Sequence, residues 1–116
     1  MSDCIFCKII EGEIPSDCVY EDEVVFAFRD INPQAPVHIL IVPKEHIESV
    51  ADLTEGNCCH ASECLLVADR IARAEGLERG YRIITNTGPD SGQTVHHLHF
   101  HLLGGKTMGT GLGIRD

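Results

Sequence analysis

The run "TVHHLHFHLLGG" (94–105) holds four of the seven histidines in the chain. Imidazole can ligate a metal, attack an electrophile, shuttle a proton, or simply fill space. On an extended chain, side chains alternate between two faces. Val95, His97, His99, His101 and Leu103 then share one face, with successive imidazoles roughly 7 Å apart at about 3.3–3.4 Å per residue. Thr94, His96, Leu98, Phe100 and Leu102 share the other, which is mostly apolar and expected to point to the core, with His96 on that side or at its margin. The run is therefore a row of three imidazoles plus one that faces away. Strict alternation weighs against a polar strand face that happens to be histidine. It leaves two readings: a metal face, since imidazoles at i and i+2 can share an ion, or nucleophilic catalysis, in which a neutral ring nitrogen attacks phosphorus while its neighbours orient it and manage protons.

The segment before the row favours phosphorus. "NTGPDSGQT" (86–94) supplies Asn86, Gly88, Ser91, Gly92, Gln93 and Thr94. Glycines let backbone N–H groups close on an anion, and Gln and Thr side chains add donors. The segment has no P-loop lysine and no dinucleotide fingerprint. Alone it reads as a hairpin loop. Beside three imidazoles it reads as a phosphate cradle.

Five strands and two helices have to position these groups. "SDCIFCKIIEG" opens on cap-type Ser2 and Asp3 and closes on Gly12, which predicts a short helix with Ile5, Phe6, Ile9 and Ile10 as its apolar face. A short strand is expected around Val19 and Tyr20, and stronger ones over 24–30 ("VVFAFRD") and 37–43 ("VHILIVP"), separated by the breaker "INPQAP". From Thr54, a plausible N-cap, to Glu75 the period lengthens, and Cys58, Ala61, Leu65, Ala68 and Ala72 mark one amphipathic helix ended by Gly76. Residues 80–86 and 95–103 complete the strands, and a Gly-rich tail, 105–116, is expected to be extended or flexible. Short connections favour antiparallel pairing, so the class is α+β. The long helix covers one sheet face, and a second copy of the chain is the natural cover for the other.

The totals narrow the partners. The length of 116 residues suits a single domain spanning 1–116. Eighteen acidic against nine basic residues give a net charge of −9, which disfavours nucleic acid and anionic membrane as partners. Neither a signal peptide nor a transmembrane run is evident, so the expected location is the cytoplasm. In that reducing compartment the six cysteines are thiols or metal ligands.

"HLHFHLL" (97–103) fits the pattern His-φ-His-φ-His-φ-φ, φ being apolar. Together with "IFCKIIEGEIPS", "FRDINPQAPVHILIVPKEHI" and "NTGPDSGQTVHHLHFHLLGG" it resembles the Hint branch of the histidine-triad (HIT) family over residues 4–106. The resemblance implies an antiparallel five-stranded sheet with one long helix and a short N-terminal helix. It implies a homodimeric purine nucleoside phosphoramidate hydrolase, in which His99 attacks the α-phosphorus and a nucleotidyl-histidine is then hydrolysed. His101 would bind phosphate and assist proton transfer, and His38 would help fix the tautomer of the nucleophile. Asp30 would bind the ribose hydroxyls. Ile5, Phe6, Ile9, Phe28 and Ile31 would form the base pocket, and Asn86, Gly92, Gln93 and Thr94 the phosphate side. The alternative is a nucleotide-binding interaction module whose turnover is incidental.

Cys4-x-x-Cys7 is a weak zinc signal by itself. Relatives with the same pair and a histidine in "PKEH" imply a closed set of Cys4, Cys7, His46 and His97. Four protein ligands leave no open position, so this zinc would be structural, and no organic cofactor is expected. Cys18, Cys58, Cys59 and Cys64 read as small hydrophobes or surface thiols, and His60 as helix surface or dimer contact. Two departures from the family stand out. His96 replaces a frequent tyrosine, and the tail lacks the tryptophan that some relatives place in the partner's site.

Overall fold

Alternation of apolar residues makes both long strands two-faced, and the fold follows from covering each face differently. The computed structural model describes residues 3–114 and 116; the candidate cap Ser2 lies outside them. In chain order they form α1 (Ile5–Ile10), β1 (Cys18–Glu21), β2 (Val25–Arg29), β3 (Val37–Pro43), α2 (Cys58–Ala74), β4 (Tyr81–Ile84) and β5 (Phe100–Gly104), with single 3₁₀ turns at Val50–Asp52 and Pro89–Ser91. The strands make one antiparallel sheet in the order β1-β2-β3-β5-β4. The α+β expectation, with five strands, one long helix and a short first helix, holds.

One face packs Val25, Ala27, Ile39, Ile41, Phe100 and Leu102 against Cys64, Val67, Ala68, Ile71 and Ala72 of α2. The helix therefore meets the sheet along a stripe spaced i, i+3, i+4, i+7 and i+8 from Cys64, a fuller 3.6-residue period than the expected one. Ala68 and Ala72 were placed correctly. Cys58 and Leu65 were not: both are exposed, Leu65 at 44%. Burial pushes the Cys64 thiol up to about 12, so it behaves as a small apolar group. The helix is also shorter at its start. Asn57 is the cap position, while Thr54 uses its hydroxyl to accept from Gly56 N–H and its carbonyl to accept from Cys58 N–H in the preceding turn.

The opposite face carries Phe26, Phe28, Leu40 and Val42, and α1 covers it through Phe6, with Ile9 and Ile10 partly buried alongside. The cover expected from a second copy is thus supplied by the chain itself. Cys4 caps α1, its Sγ accepting from Cys7 N–H at 3.3 Å. Cys4 therefore takes the capping role expected of Ser2 or Asp3.

The last strand is half as long as expected. Residues 95–99 pair with no strand. They hook onto the chain leaving β3, where Leu98 N–H donates to the Ile47 carbonyl at 2.6 Å. Side-chain parity survives this change: Leu98, Phe100 and Leu102 point to the α2 core, and His97, His99 and His101 are buried away from it. His96 does not reach the core side and is exposed. The tail has no regular structure among its described residues, yet it is anchored: Arg82 Nη2 donates to the Gly109 carbonyl at 2.8 Å.

Leu102 is fully buried between the sheet and α2. Leu102→Ala is expected to cost about 2–5 kcal/mol in urea unfolding, the usual range for a buried leucine deletion. A loss under about 1 kcal/mol would show that this face is not core.

Candidate active site and metal site

The register of β3 on β5 sets His38 opposite Leu103 and Leu40 opposite His101. This places His38 and His101 side by side, with His38 Nε2 2.9 Å from His101 Nδ1. Both rings are buried, so proton positions follow from their partners. Gln34 N–H donates to His38 Nδ1 at 3.0 Å. The His38 proton is therefore on Nε2 and is donated to His101 Nδ1, which leaves the His101 proton on Nε2, facing the pocket. Asp30 Oδ2 lies farther from the same His38 nitrogen, at 3.4 Å. Burial lowers the His38 pKa, partly offset by the Asp30 charge, which favours this neutral relay.

His99 is oriented separately. Its Nδ1 lies 2.7 Å from the His97 carbonyl, which can only accept, so Nδ1 carries a proton and Nε2 points outward into the pocket. The Phe6 ring packs on this imidazole, centroids 5.0 Å apart at 89°. The implied role of His38 therefore needs correction: it sets the tautomer of His101, while the main chain sets that of His99.

The row ends on a carboxylate. Asp116 Oδ1 lies 2.8 Å from His101 Nε2 and 3.1 Å from His99 Nε2, with the Asp116 side chain 2% exposed. Asn86 Nδ2 donates to the same oxygen at 2.7 Å, and Thr94 N–H to Oδ2 at 3.4 Å. Burial works to raise this carboxyl, but its bonds to His101, His99 and Asn86 hold it well below the usual carboxylate range. Asn86, Thr94, His99 and His101 thus converge on one anion. Gly92 turns the loop with φ +90°, a backbone that a side chain rarely adopts. Gln93 differs from expectation. Both of its side-chain donor contacts go to main-chain oxygens, of Glu48 and Val95, and its Oε1 accepts from Gly88 N–H, so the amide shapes the loop.

Beside this anion site lies a cavity of about 540 Å³ lined by Ile5, Phe6, Ile9, Phe28, Ile31 and Leu40, with Asp30 and His99 also on its wall. Ile31 is 92% exposed, an apolar side chain at the rim awaiting cover. Asp30 Oδ1 accepts from Asn32 N–H at 2.8 Å, closing a local turn, while Oδ2 faces His38.

Cys4, Cys7, His46 and His97 form a second cluster, their ligand atoms all within 4.8 Å of one another. Cys4 Sγ is 3.2 Å and Cys7 Sγ 3.6 Å from His97 Nδ1, and Cys7 Sγ is 3.5 Å from His46 Nδ1. A tetrahedral zinc with bonds of about 2.0–2.3 Å holds such pairs about 3.5 Å apart, so the set fits the ion. His97 donates Nε2–H to the Pro43 carbonyl at 2.8 Å, which frees Nδ1 for a metal. Burial pushes His97 down to about 4, leaving the neutral, ligating form at pH 7.

Sequence reasoning missed three groups: Gln34 and Pro43, which act through the main chain and so leave no side-chain signal, and Asp116, which sits in a tail read as featureless. Among the described residues, no helix is long and apolar enough to cross a membrane.

Residues 11–108 match the HIT domain family. The chain is 52% identical over 106 residues to the purine nucleoside phosphoramidase of Escherichia coli (strain K12), spanning 90% of this chain and 89% of that protein. It is 53% identical over 109 residues to the 14 kDa zinc-binding protein of Zea mays, spanning 92% and 85%. Its fold matches that of a HIT family hydrolase from Clostridium thermocellum with a TM-score of 0.93 and 51% identity, covering 97% of this chain and 98% of that one.

The hydrogen bonds specify tautomers. At pH 8, nitrogen-15 NMR of the histidines should show protons on Nε2 in His38, His97 and His101 and on Nδ1 in His99. A proton on Nδ1 of His38 would break the relay from Gln34.

Proposed function

The chain belongs to the HIT domain family, and from that premise we propose that it hydrolyses the P–N bond of purine nucleoside phosphoramidates through a nucleotidyl-histidine. The observation that carries this reading is the orientation of His99, whose Nδ1 is held on the His97 carbonyl while Nε2 faces the anion site. Its 52% identity to a purine nucleoside phosphoramidase supports the substrate class.

The base lies among Ile5, Phe6, Ile9, Phe28 and Ile31, where burial of an aromatic ring removes apolar surface from water. Asp30 accepts from the ribose hydroxyls. Asn86, Gly92, Gln93 and Thr94 frame the phosphate, the loop main chain and the Asn86 amide supplying donors. His101 donates Nε2–H to a phosphate oxygen and helps to deliver the proton that the departing amine takes up. His99 Nε2 forms the bond to phosphorus as the P–N bond breaks. Water then attacks phosphorus, the P–Nε2 bond breaks, and the nucleoside monophosphate leaves. The His38–His101 contact holds a proton on the phosphate-facing nitrogen until the departing amine takes one up, and the attacking water returns one there.

Zinc, when bound, supplies structural closure. Cys4, Cys7, His46 and His97 would hold it, tying α1 to the segment that precedes β5, and both walls of the base pocket depend on that junction. A homodimer completes the reading. β4 is an edge strand, and Leu65 and Leu66 of α2 are 44% and 54% exposed. We place the protein in the cytoplasm, as a single HIT domain.

Mixing excess enzyme with adenosine 5'-phosphoramidate and quenching should trap a covalent adduct on wild type and none on His99→Ala. AMP affinity of the variant should stay within a few-fold. Wild type that binds AMP without forming an adduct would favour an interaction module, and loss of AMP binding in the variant would count against the nucleophile assignment.

The zinc reading predicts one bound zinc per chain by elemental analysis. Cys7→Ser should bind zinc at least about tenfold more weakly, since even losing an outer partner of a ligand costs 10–100-fold, and should unfold at lower temperature. Turnover that survives in metal-stripped, folded protein is expected, and its loss with the fold intact would make the metal catalytic.

A further inference from the structure

Asp116 makes the contacts that a bound anion would make. One carboxylate oxygen meets His99 Nε2, His101 Nε2 and the Asn86 amide, and the other meets Thr94 N–H. The main chain around it is fastened as well: Asp116 N–H donates to the Gly92 carbonyl at 3.3 Å, and the Ile114 carbonyl accepts from Asn86 Nδ2 at 3.0 Å. The side chain is nearly inaccessible to water. In a chain of net charge −9, an acidic side chain is buried on the row of imidazoles through specific donors, not through a general positive field.

We propose that Asp116 is a built-in competitor for the anion site, so that the tail holds the resting site closed and a nucleotide phosphate has to displace it. The proposal rests on reading this pocket as the phosphate site. The argument is steric first. With an oxygen 3.1 Å from His99 Nε2, phosphorus cannot approach the same nitrogen to bonding distance. The tether makes displacement feasible: Gly105, Gly109, Gly111 and Gly113 lie between β5 and Asp116, giving a flexible chain with few fixed dihedrals. A short flexible tether presents its end at an effective concentration in the millimolar range, enough to compete with a small anion and yield to a nucleotide that also fills the base pocket.

The test uses the full chain with Asp116→Asn and Asp116→Ala. In ligand-free protein, the Nε2 resonances of His99 and His101 should move in both variants, and unchanged resonances would overturn the contact. By calorimetry, AMP and inorganic phosphate should bind both variants about tenfold more tightly than wild type, as expected if the free site is open for roughly a tenth of the time. Equal or weaker binding would overturn the competition, and no binding of either probe to any of the three proteins would overturn the anion site itself. Turnover of adenosine 5'-phosphoramidate is read separately. If the variants bind more tightly while no protein turns it over, the competitor stands and the hydrolase reading falls; if they turn it over with unchanged KM, the reverse holds.

Discussion

Buried imidazoles are tolerable only when each ring nitrogen has a partner, and this requirement organises the site. An unpaired ring nitrogen in the interior costs on the order of 1–3 kcal/mol. Four histidines, His38, His97, His99 and His101, are 2% exposed or less. Three of these rings are fixed by the backbone: His38 by Gln34 N–H, His97 by the Pro43 carbonyl and His99 by the His97 carbonyl. Backbone groups do not change protonation state, so they define the tautomers outright. The chemistry then follows. The same chain segment aims His97 Nδ1 at the cysteines, His99 Nε2 at the pocket, and a proton of His101 at the anion.

This arrangement depends on the division of the sheet into two faces. The α2 face holds apolar side chains, with the Cys64 thiol buried among them as one more small apolar group. The α1 face carries the pocket, the histidine relay and Phe6, Phe26 and Phe28. The pairing of β3 with β5 serves both, setting Ile39 against Leu102 on one side and His38 beside His101 on the other. A one-residue slip in that pairing would exchange the faces and bury aliphatics in the site. Stability and chemistry are therefore locked to the same register.

Much of this was legible in the sequence because alternation is a local property. β3 was read to the residue over 37–43, and the split between the triad and Leu98, Phe100 and Leu102 followed from parity alone. Parity held even where residues 95–99 left the sheet: Leu98 still packs on the α2 core while His97 and His99 stay buried away from it. The α2 stripe was harder. Cys58 and Leu65 share the helical period with buried positions, and only the sheet beneath decides which side of a mixed helix is inside. His96 was misplaced for a related reason, since the α2 core ends at Leu98. What could not be read were contacts between distant segments, in which Gln34 meets His38 through its main chain and Asp116 crosses back to Asn86.

The anion site itself discriminates poorly, and this locates selectivity elsewhere. Its donors are N–H groups of Asn86, Thr94 and His101, and they already accept a carboxylate. Nothing in such a set distinguishes carboxylate from phosphate except the number of oxygens and the room to hold them. Recognition of a nucleotide has to come from the adjoining cavity, where apolar walls meet the Asp30 carboxylate. That cavity is open at Ile31, whose side chain stays in water until a ring covers it. Burial of that surface supplies what a small anion lacks, so a ligand with a phosphate and a base gains from both halves of the site, while a carboxylate gains from one.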